Sequence, residues 1–322
     1  CVLREGATYI PFPVDLSPED LDFEVRVLGA REAVSSAMLT DASVVLVSGD
    51  DAGNLHIPAL ARAVGAKSCL GLEYTLETRL RIAWLDRTRN LPRRVYSVLW
   101  NLFQERRRRR AIRASDAVQA NGYPAFDACH TANSNTLLYL DNRMTDALFA
   151  TENEMTARAA HLKGSTPLRL VYSGRLETLK GAQDLVPMAR ALKARGLNFT
   201  LDIFGGGALE PDIRAAIHTH GLVDQLHLRG AVDFATELVP FKRASADLFI
   251  APHRQGDPSC TYVEAMGCGL TVIGYGNEMW RRLQAESGAG WTVPLGEIDA
   301  LATAIAEADA DRAEIVRRSL LA

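Results

Sequence analysis

The stretch LFIAPHRQGDPSCTYVEAMGCGLTVI, residues 248–273, decides the fold class of this chain. It begins with the apolar run 248–251, crosses a polar loop and enters a helical pattern over 261–266. A second apolar run follows at 270–273. Short, continuous apolar runs are typical of strands buried on both faces, and a helix between two of them indicates a parallel β-α-β unit. The stretch therefore predicts an α/β domain with a parallel sheet.

The same alternation extends through the second half of the chain. It predicts strands over 168–173, 199–204 and 225–228, and helices over 182–194, 209–218, 239–245 and 299–307. Residues 161–167, HLKGSTP, are polar and turn-prone and predict a linker. Because domains hold about 100–200 residues each, we predict an N-terminal domain over 1–163 and a C-terminal domain over 164–322.

The first half carries a similar but less regular pattern. It predicts strands over 23–28, 44–48, 68–72, 117–120 and 136–140, and helices over 30–39 and 57–64. The chain begins with Cys1 and not with Met, so we expect the N-terminal domain to be incomplete. Both halves are thus predicted to be doubly wound α/β domains.

The composition excludes several classes of protein. The chain is 48% hydrophobic and 23% charged, which is typical of a globular protein and not of a disordered one. Its apolar runs fall short of the roughly 20 residues that span a bilayer. The five cysteines are scattered, and the seven histidines form no ligand pattern. We therefore expect reduced thiols, no metal site, no cofactor and a cytoplasmic location.

An arginine-rich segment stands out from this mildly acidic background. Residues 79–113 hold twelve arginines and two acids. Pro92 is predicted to divide a helical region, and one apolar stripe follows it, formed by Val95, Val98, Leu99, Leu102 and Phe103. The segment is interpreted as a solvated ion-paired face, as a contact with the anionic inner face of a membrane, or as the site of a phosphate-bearing acceptor. We favour the last two, and no base-reading motif indicates nucleic acid.

Two glycine-containing loops follow predicted strands. The first is GRLETLKG, residues 174–181, which presents Arg175 and Lys180 at the end of a strand. An arginine fork and a lysine point charge suit a diphosphate, although a surface loop with two cations is the simpler alternative. The second is FGGG, residues 204–207, where glycines permit close approach of a ligand. Ligands in such sheets bind outside the carboxyl ends of the strands.

A third loop, residues 253–259, enters the helix predicted over 261–266. The free amide groups at the start of that helix would face an anion. Glu264 lies one turn inside it, and the alternative is that Thr261 and Glu264 form a capping box. His253 and Arg254 are alternatively an ordinary solvated loop, and Cys268 is predicted to serve packing.

The order of these motifs resembles the group-one family of retaining, GT-B-type glycosyltransferases. G-R-L-x-x-x-K-G, I-F-G-G-G and D-P-S-C-T-Y-V-E-A-M-G-C-G occur here in the family's order, and the resemblance covers the C-terminal half. It implies two Rossmann-like domains that face a cleft, with a nucleoside diphosphate sugar bound as co-substrate in the C-terminal domain. It also implies sugar transfer to a glycan or a lipid-linked acceptor.

The resemblance further implies roles for individual residues. Arg175 and Lys180 would neutralise the leaving diphosphate, and Glu264 would accept hydrogen bonds from the ribose. The remaining donor-side candidates line the nucleotide pocket or present amide groups: Gly174, Gly205, Gly206, Ser259, Cys260 and Thr261. The family's first glutamate falls on Gly256 here. Either the neighbouring Asp257 takes over its contact with the sugar, or the sugar is held differently.

The acceptor side has weaker signals in the sequence. Glu73 occupies a position where the family often carries histidine, and it is either a cleft residue or an ion-pair partner of nearby arginines. Asn121 and Tyr123 follow another predicted strand and are candidate cleft residues. The alternatives in function are a non-catalytic relative that binds nucleotide sugar or glycan, a nucleotide-sugar epimerase, and a sugar phosphorylase. An NAD-dependent oxidoreductase is disfavoured because the dinucleotide fingerprint is missing.

Overall fold

The computed structural model of the chain describes residues 2–4, 26–29, 32–86, 89–256 and 259–322. The strands in these ranges form parallel sheets of two, four and six members. In chain order they are β1 (Val2–Arg4), β2 (Arg26–Leu28), β3 (Val44–Ser48), β4 (Lys67–Leu72), β5 (Ala117–Asn121), β6 (Thr136–Tyr139), β7 (Leu168–Ser173), β8 (Phe199–Phe204), β9 (Leu226–Gly230), β10 (Leu248–Ala251), β11 (Thr271–Tyr275) and β12 (Gly290–Val293).

Helices alternate with these strands, as the sequence predicts. Most of them follow a strand directly and return the chain to the amino end of the sheet. In chain order they are α1 (Ile57–Ala63), α2 (Leu76–Leu85), α3 (Leu91–Ala114), α4 (Tyr123–Cys129), α5 (Glu152–Leu162), α6 (Leu185–Ala194), α7 (Glu210–Thr219), α8 (Val239–Ser245), α9 (Cys260–Gly267), α10 (Glu278–Ser287), α11 (Ile298–Ala310) and α12 (Arg312–Ser319). Both halves are therefore α/β units.

The six-stranded sheet of the C-terminal half has the order β12-β11-β10-β7-β8-β9. The chain runs from β7 outward to β9 and then returns to the other side of β7 with β10. The strand order thus reverses between β7 and β10, and a crevice forms at the carboxyl ends of such neighbours. Because β8 also pairs with β7, the loops that follow these three strands lie at one edge of the sheet.

The apolar runs of the sequence become the centre of this sheet. Every residue of β10 and β11 is buried. Tyr262 and Trp280 are fully buried and stack with ring centroids 5.2 Å apart. Such continuous burial explains why these strands show unbroken apolar runs in the sequence and not an alternating pattern.

Helix α5 precedes the predicted linker but packs against the C-terminal half. Leu162 belongs to the same apolar cluster as β7 and β8. Arg158 is buried and donates to the carbonyl oxygens of Ala246, Cys268 and Gly269. Since α5 extends to Leu162, the predicted linker 161–167 begins too early. The division at 163/164 stays a prediction, and these contacts associate α5 with the C-terminal half.

The four-stranded sheet of the N-terminal half has the order β3-β4-β5-β6. Leu70 and Val118 are fully buried in it. The helix predicted over 30–39 is wrong in the described part, where residues 32–35 are irregular and only Ser36–Met38 form a short 3₁₀ turn. Ser35 is extended there, and serines compete poorly for helix because their hydroxyls favour turns.

Pro92 lies at the start of a helix and not inside one. It occupies the first turn of α3, where a missing amide hydrogen costs nothing, and Asn90 caps the helix by accepting from the Arg93 amide at 3.1 Å. The sequence pattern did not predict the strands β1 and β12 or the helices α4, α5, α10 and α12. Strand β12 has only four residues and begins with Gly290, so its pattern is too short to read.

Candidate functional site

The loop after β7 is fitted closely against the loop after β10. Gly181 has a φ of 70°, and a Cβ atom at this position would lie 1.7 Å from the carbonyl oxygen of Pro252. The Arg254 amide donates to the carbonyl oxygen of Leu179 at 3.0 Å. Only glycine permits both this backbone conformation and this approach. The glycine therefore brings Lys180 to the start of α9.

Lys180 reaches the residue that precedes α9. Its Nζ atom lies 3.4 Å from Ser259 Oγ, which in turn lies 2.8 Å from Thr261 Oγ1. Ser259 is the N-cap residue of α9, but its hydroxyl does not cap the helix. A cation and two hydroxyls thus surround the amino end of a helix, which itself carries partial positive charge.

Arg175 lies at the same edge of the sheet but is bound within its own loop. Its Nη1 atom is 3.2 Å from Glu177 Oε1, and the side chain is half exposed. The Tyr172 hydroxyl donates to the Arg175 carbonyl at 2.9 Å and fixes the backbone of the loop. Within the described ranges, no hydrogen bond or ion pair joins the side chains of Arg175 and Lys180. The guanidinium is held by a single surface pair of the kind that contributes little energy.

The glycines after β8 allow a third loop to approach the first. Gly205 has a φ of 115°, and a Cβ there would lie 2.2 Å from the carbonyl oxygen of Gly174. The Leu176 amide donates to the Gly206 carbonyl at 2.9 Å. The predicted pocket glycines 174, 205 and 206 therefore lie side by side, where a side chain would separate the two loops.

Glu264 is buried and bound by an arginine from the N-terminal half. Arg143 donates from Nε to Oε1 at 2.8 Å and from Nη2 to Oε2 at 3.2 Å. The Glu264 side chain has no exposed area, whereas that of Arg143 is 46% exposed and lies over the Phe234 ring at 3.9 Å. The capping-box alternative is wrong, since α9 begins at Cys260 and the carboxylate of Glu264 is directed to Arg143.

His253 and Arg254 do not form a solvated loop. His253 is buried between the rings of Tyr172 and Tyr262, at centroid distances of 6.4 and 5.2 Å. Burial, with a smaller contribution from the Lys180 charge, holds the pKa of His253 well below its ordinary value. This imidazole is therefore neutral at physiological pH.

Arg254 fastens the same loop to α6. Its guanidinium donates to both carboxylate oxygens of the buried Asp184, at 2.8 and 2.7 Å, and the Tyr275 hydroxyl donates to Asp184 at 3.1 Å. A bidentate pair with a buried carboxylate fixes orientation as well as position. The alternative of a loose surface loop is thus contradicted.

The thiols near this site are protonated. Burial, with a smaller contribution from Glu264, raises the pKa of Cys260 to about 11. Cys268 is fully buried, and burial raises its pKa as well, so its predicted packing role is consistent with the structure. Asp257, the candidate substitute for the family's first glutamate, lies outside the described residues.

The acceptor-side candidates are brought together only in part. Glu73 and Asn121 share a side-chain hydrogen bond, and Asn121 Oδ1 accepts from the Asp141 amide at 3.1 Å. Burial, followed by the Asp50 charge, raises the pKa of Glu73. No ion pair with an arginine involves Glu73 within the part of the chain that is described, so the ion-pair alternative is not supported.

Tyr123 belongs to a different contact. Its hydroxyl donates to Glu286 of α10 at 2.5 Å, and Arg282 lies over its ring at 4.6 Å. Arg282 also pairs with Asp127 of α4 at 2.6 Å. Tyr123 therefore joins the two halves of the chain, and its assignment as a candidate cleft residue stays a prediction.

An apolar groove lies between α2 and the donor-side loop. Its volume is about 620 Å³, and it is bounded by Leu80, Trp84, Leu85, Val98, Leu179 and Leu295. At one side Arg81 donates to the carbonyl oxygen of Arg254 at 2.7 Å and so closes the groove against the C-terminal half. Thr178 and Leu179, from the loop that also holds Lys180, belong to the lining of the groove.

The sequence profile described as "Glycosyl transferases group 1" matches residues 153–319, which is more than half of the chain. The chain belongs to the group 1 glycosyltransferase family. The matched segment contains every donor-side residue described above. Among the described residues there is no cluster of three or more histidines, cysteines or acids that could hold a metal ion, and no helix long and apolar enough to cross a membrane.

Curated relatives of this group 1 glycosyltransferase match less than half of its length. It is 33% identical over 155 residues to a phosphatidyl-myo-inositol mannosyltransferase of Mycolicibacterium smegmatis, covering 47% of this chain and 39% of that protein. It is 29% identical over 147 residues to the putative colanic acid biosynthesis glycosyltransferase WcaL of Salmonella typhimurium, covering 44% and 36%. The matched segment thus spans less than half of either relative.

Solved structures extend the similarity to both halves. Anabaena HepE in complex with UDP has a TM-score of 0.65 at 14% identity, covering 92% of this chain and 79% of that one. The lipopolysaccharide outer core galactosyltransferase WaaB has a TM-score of 0.59 at 14% identity, covering 88% and 72%. At these identities the similarity concerns the fold. The group 1 glycosyltransferase described here therefore has the predicted GT-B architecture of two Rossmann-like domains.

Two residues of the site were missed in the sequence. Arg143 follows β6, and the rule that ligands lie at the carboxyl ends of parallel strands could have indicated it. Asp184 lies in the turn that begins α6 and has no local signal, because its partners Arg254 and Tyr275 are at least 70 residues away.

Proposed function

We propose that this group 1 glycosyltransferase transfers a hexose from a nucleoside diphosphate sugar to a glycan or a lipid-linked acceptor, in the synthesis of a cell-surface polysaccharide or glycolipid. The observation that carries the proposal is the convergence of Lys180, Ser259 and Glu264 on the amino end of α9. A cation, hydroxyls, helix amides and a carboxylate within one turn are the groups that a nucleoside diphosphate needs.

The diphosphate is proposed to bind between Lys180 and the amide groups of Ser259, Cys260 and Thr261. Negative charge accumulates on the leaving phosphate in the transition state, and fixed positive groups stabilise that charge more than the ground state. Arg175 is bound only to the partly exposed Glu177, so it is able to exchange that partner for a phosphate oxygen. We propose that these cations act without a metal ion, and that a chelator leaves turnover unchanged.

The ribose is proposed to bind through Glu264. Both of its oxygens accept from Arg143 and the side chain has no exposed area, so donor binding is proposed to move Arg143 and open the carboxylate to the ribose. The hydrogen bonds with Glu264 raise the pKa of Arg143 despite its burial, and it stays charged. A displaced guanidinium next to the nucleotide would add a third cation to the site.

The transfer is proposed to proceed with retention at the anomeric carbon. The acceptor oxygen forms a bond to that carbon as the bond to the phosphate oxygen breaks. The acceptor proton passes to the departing phosphate, so no separate general base is required. Glu73, whose pKa is raised and which bonds Asn121, is proposed to orient an acceptor hydroxyl.

The apolar groove supports a lipid-linked acceptor over a free glycan. It joins the outer surface of α2 to the residue next to Lys180, and apolar side chains form most of its lining. An acyl or prenyl chain in this groove would hold the acceptor head near the donor. We further propose a cytoplasmic location, where nucleotide sugars are available.

The deciding experiment combines donor binding with mutation of the two cations. Thermal shift against UDP, GDP, ADP and their sugars should raise the stability by about 2.7 kcal/mol for the true donor at 100 times its dissociation constant. The double variant Arg175→Ala, Lys180→Ala should lose about 100-fold or more in turnover. A loss of only about twofold would contradict the proposed role of these cations.

A second candidate is a non-catalytic protein that binds nucleotide sugar or glycan. The specific observation in its favour is that both carboxylate oxygens of the buried Glu264 accept from Arg143 and that Gly256 stands where the family carries its first acid. Donor hydrolysis by the intact protein distinguishes the two. Tight donor binding without hydrolysis or transfer would favour the second candidate.

A further inference from the structure

The helical hairpin of α2 and α3 carries an apolar face without a partner in the described structure. The first three turns of α3 direct large side chains into solvent, with Tyr96, Leu99 and Phe103 each at least 60% exposed. The residues of this docking face are Trp84 and Leu85 of α2 and Leu91, Val95, Tyr96, Leu99, Trp100, Leu102 and Phe103 of α3. Contiguous apolar patches of this kind are rare on a protein surface and indicate contact with another body.

The docking face continues into a row of arginines. Residues 99, 103, 106 and 110 are spaced by three and four, so they lie on one side of α3. Arg106, Arg110 and Arg113 are exposed, and none of the ion pairs in the described ranges involves them.

The arginines on the inner side of α3 behave differently. Arg108 is buried and pairs with Asp50 at 2.7 Å. Glu105 accepts from Arg79 at 2.5 Å and from Arg109 at 2.9 Å. Positive charge is therefore neutralised toward the protein and left unneutralised on the side that carries the apolar face.

The aromatic side chains of the docking face are further evidence that it contacts another body. Tyr96 and Trp100 stack at 6.5 Å, and Trp100 lies 6.4 Å from Phe103. Amphipathic side chains such as tyrosine and tryptophan favour the boundary between water and hydrocarbon. Helices that lie in this boundary combine such residues with arginines that meet anionic headgroups.

We propose that the docking face lies on a bilayer that contains anionic lipids. Charge complementarity selects this occupant over a second copy of the chain. The described part of the hairpin holds three acids, Glu77, Asp86 and Glu105, and each is paired with one of its own arginines. A second copy would therefore bring two arginine rows together without an acid to meet them.

The docking face is continuous with the apolar groove. Trp84 and Leu85 belong to both, and Leu179, the residue before Lys180, also lines the groove. This consequence rests on the proposed function: an acceptor with a lipid chain could enter the groove from the bilayer without crossing water.

Vesicle co-sedimentation of the intact chain tests the proposal. The vesicles contain phosphatidylcholine alone or with phosphatidylglycerol, at low and at high salt. Binding is expected only with the anionic lipid and should fall with salt. The variant Arg106→Gln, Arg110→Gln should lower the partition coefficient about fivefold for each arginine. The variant Trp100→Ser, Phe103→Ser should lower it roughly tenfold or more.

Matched controls separate the docking face from general surface effects. Val223→Ser and Arg214→Gln change an exposed apolar residue and an exposed arginine of the C-terminal half and should leave the binding unchanged. Brominated lipid should quench the fluorescence of Trp84 and Trp100 in the wild type, and the double variant Trp84→Phe, Trp100→Phe should lose most of that quenching. The buried Trp280 serves as an unquenched reference.

The results that would overturn the docking face differ from those that would overturn the proposed function. Equal binding of all variants, or no binding to anionic vesicles at low salt, would overturn the docking face. A dimer that buries Trp100 would also overturn it and assign the face to a second copy. The thermal shift with UDP is measured in parallel, because loss of donor binding bears on the proposed activity and not on the membrane contact.

Discussion

Arg143 and Glu264 form a bidentate ion pair across the two halves of the chain, with donor–acceptor distances of 2.8 and 3.2 Å. The carboxylate is inaccessible to solvent, while the guanidinium is half exposed. The charge of Glu264 thus depends on one arginine from the opposite domain. Any ligand of this carboxylate competes with that arginine.

The first prediction concerns this pair. Arg143→Ala leaves a buried carboxylate without its cation and should lower the free energy of unfolding by about 1–3 kcal/mol. Urea denaturation measures the change. The double variant with Glu264→Gln should recover part of the loss, because the uncompensated charge is gone. A loss in the double variant equal to the sum of the losses in Arg143→Ala and Glu264→Gln alone would show that the pair does not couple the two residues.

The second prediction uses Gly181 and a matched glycine. Gly181→Ala should lower the stability by about 2 kcal/mol or more and weaken donor binding, since its Cβ would meet the Pro252 carbonyl oxygen at 1.7 Å. Gly196 has nearly the same φ, 73°, but open space around it. Gly196→Ala should therefore show only the backbone strain, about 1 kcal/mol. Equal losses of stability in Gly181→Ala and Gly196→Ala would contradict the idea that the close approach of Pro252 requires glycine at position 181.

The third prediction concerns Asp184. Asp184→Asn breaks the bidentate pair with Arg254 in a buried site and should cost about 2–4 kcal/mol of stability. It should also raise the KM for the donor, because the loop before α9 is no longer fastened to α6. Glu210→Gln breaks the surface pair with Arg214 and is the control, with an expected cost below about 0.5 kcal/mol. An unchanged KM in Asp184→Asn would separate this network from the donor site.

The fourth prediction is a dependence of stability on pH that originates at His253. The unfolded chain protonates this side chain near 6.5, and the buried imidazole has a pKa well below that value. The folded state therefore binds fewer protons, so its stability is constant above about pH 6.5 and falls as the pH drops below it. The expected slope from this residue is about 1.4 kcal/mol per pH unit.

The control for His253 is a comparison of slopes and not of absolute stabilities. Between neutral and mildly acidic pH, the free energy of unfolding should fall less in His253→Gln than in the wild type. Urea titrations at several pH values provide the two curves. Parallel curves would show that His253 is not the group responsible.

The sequence predicted the parts of the site that are local in the chain. Gly174, Arg175, Lys180, Gly205, Gly206 and the start of α9 all follow buried strands, and the carboxyl edge of a parallel sheet brings such loops together. Their neighbourhood could be inferred because the apolar residues of β7, β8 and β10 predict a strand before each loop. The pairing of Arg143 with Glu264 could not, since 121 residues separate them.

The arginine-rich segment is a second example of what the sequence could not predict. Its sequence indicates an amphipathic helix with excess positive charge, but not which arginines are neutralised. Arg108 becomes a buried partner of Asp50, whereas Arg106, two positions earlier, is exposed. Tyr123 was likewise assigned to the cleft from its place after β5, and the packing of α4 against α10 turned it toward Glu286.

The amino-acid sequence by itself determined the α/β class, the order of strands and loops and the glycines that the tight turns require. These features depend on the periodicity of apolar residues and on backbone conformations that one residue type permits. Only the tertiary structure decided which charges meet and which faces stay open. Those outcomes depend on the packing of segments distant in the chain, which no local pattern encodes.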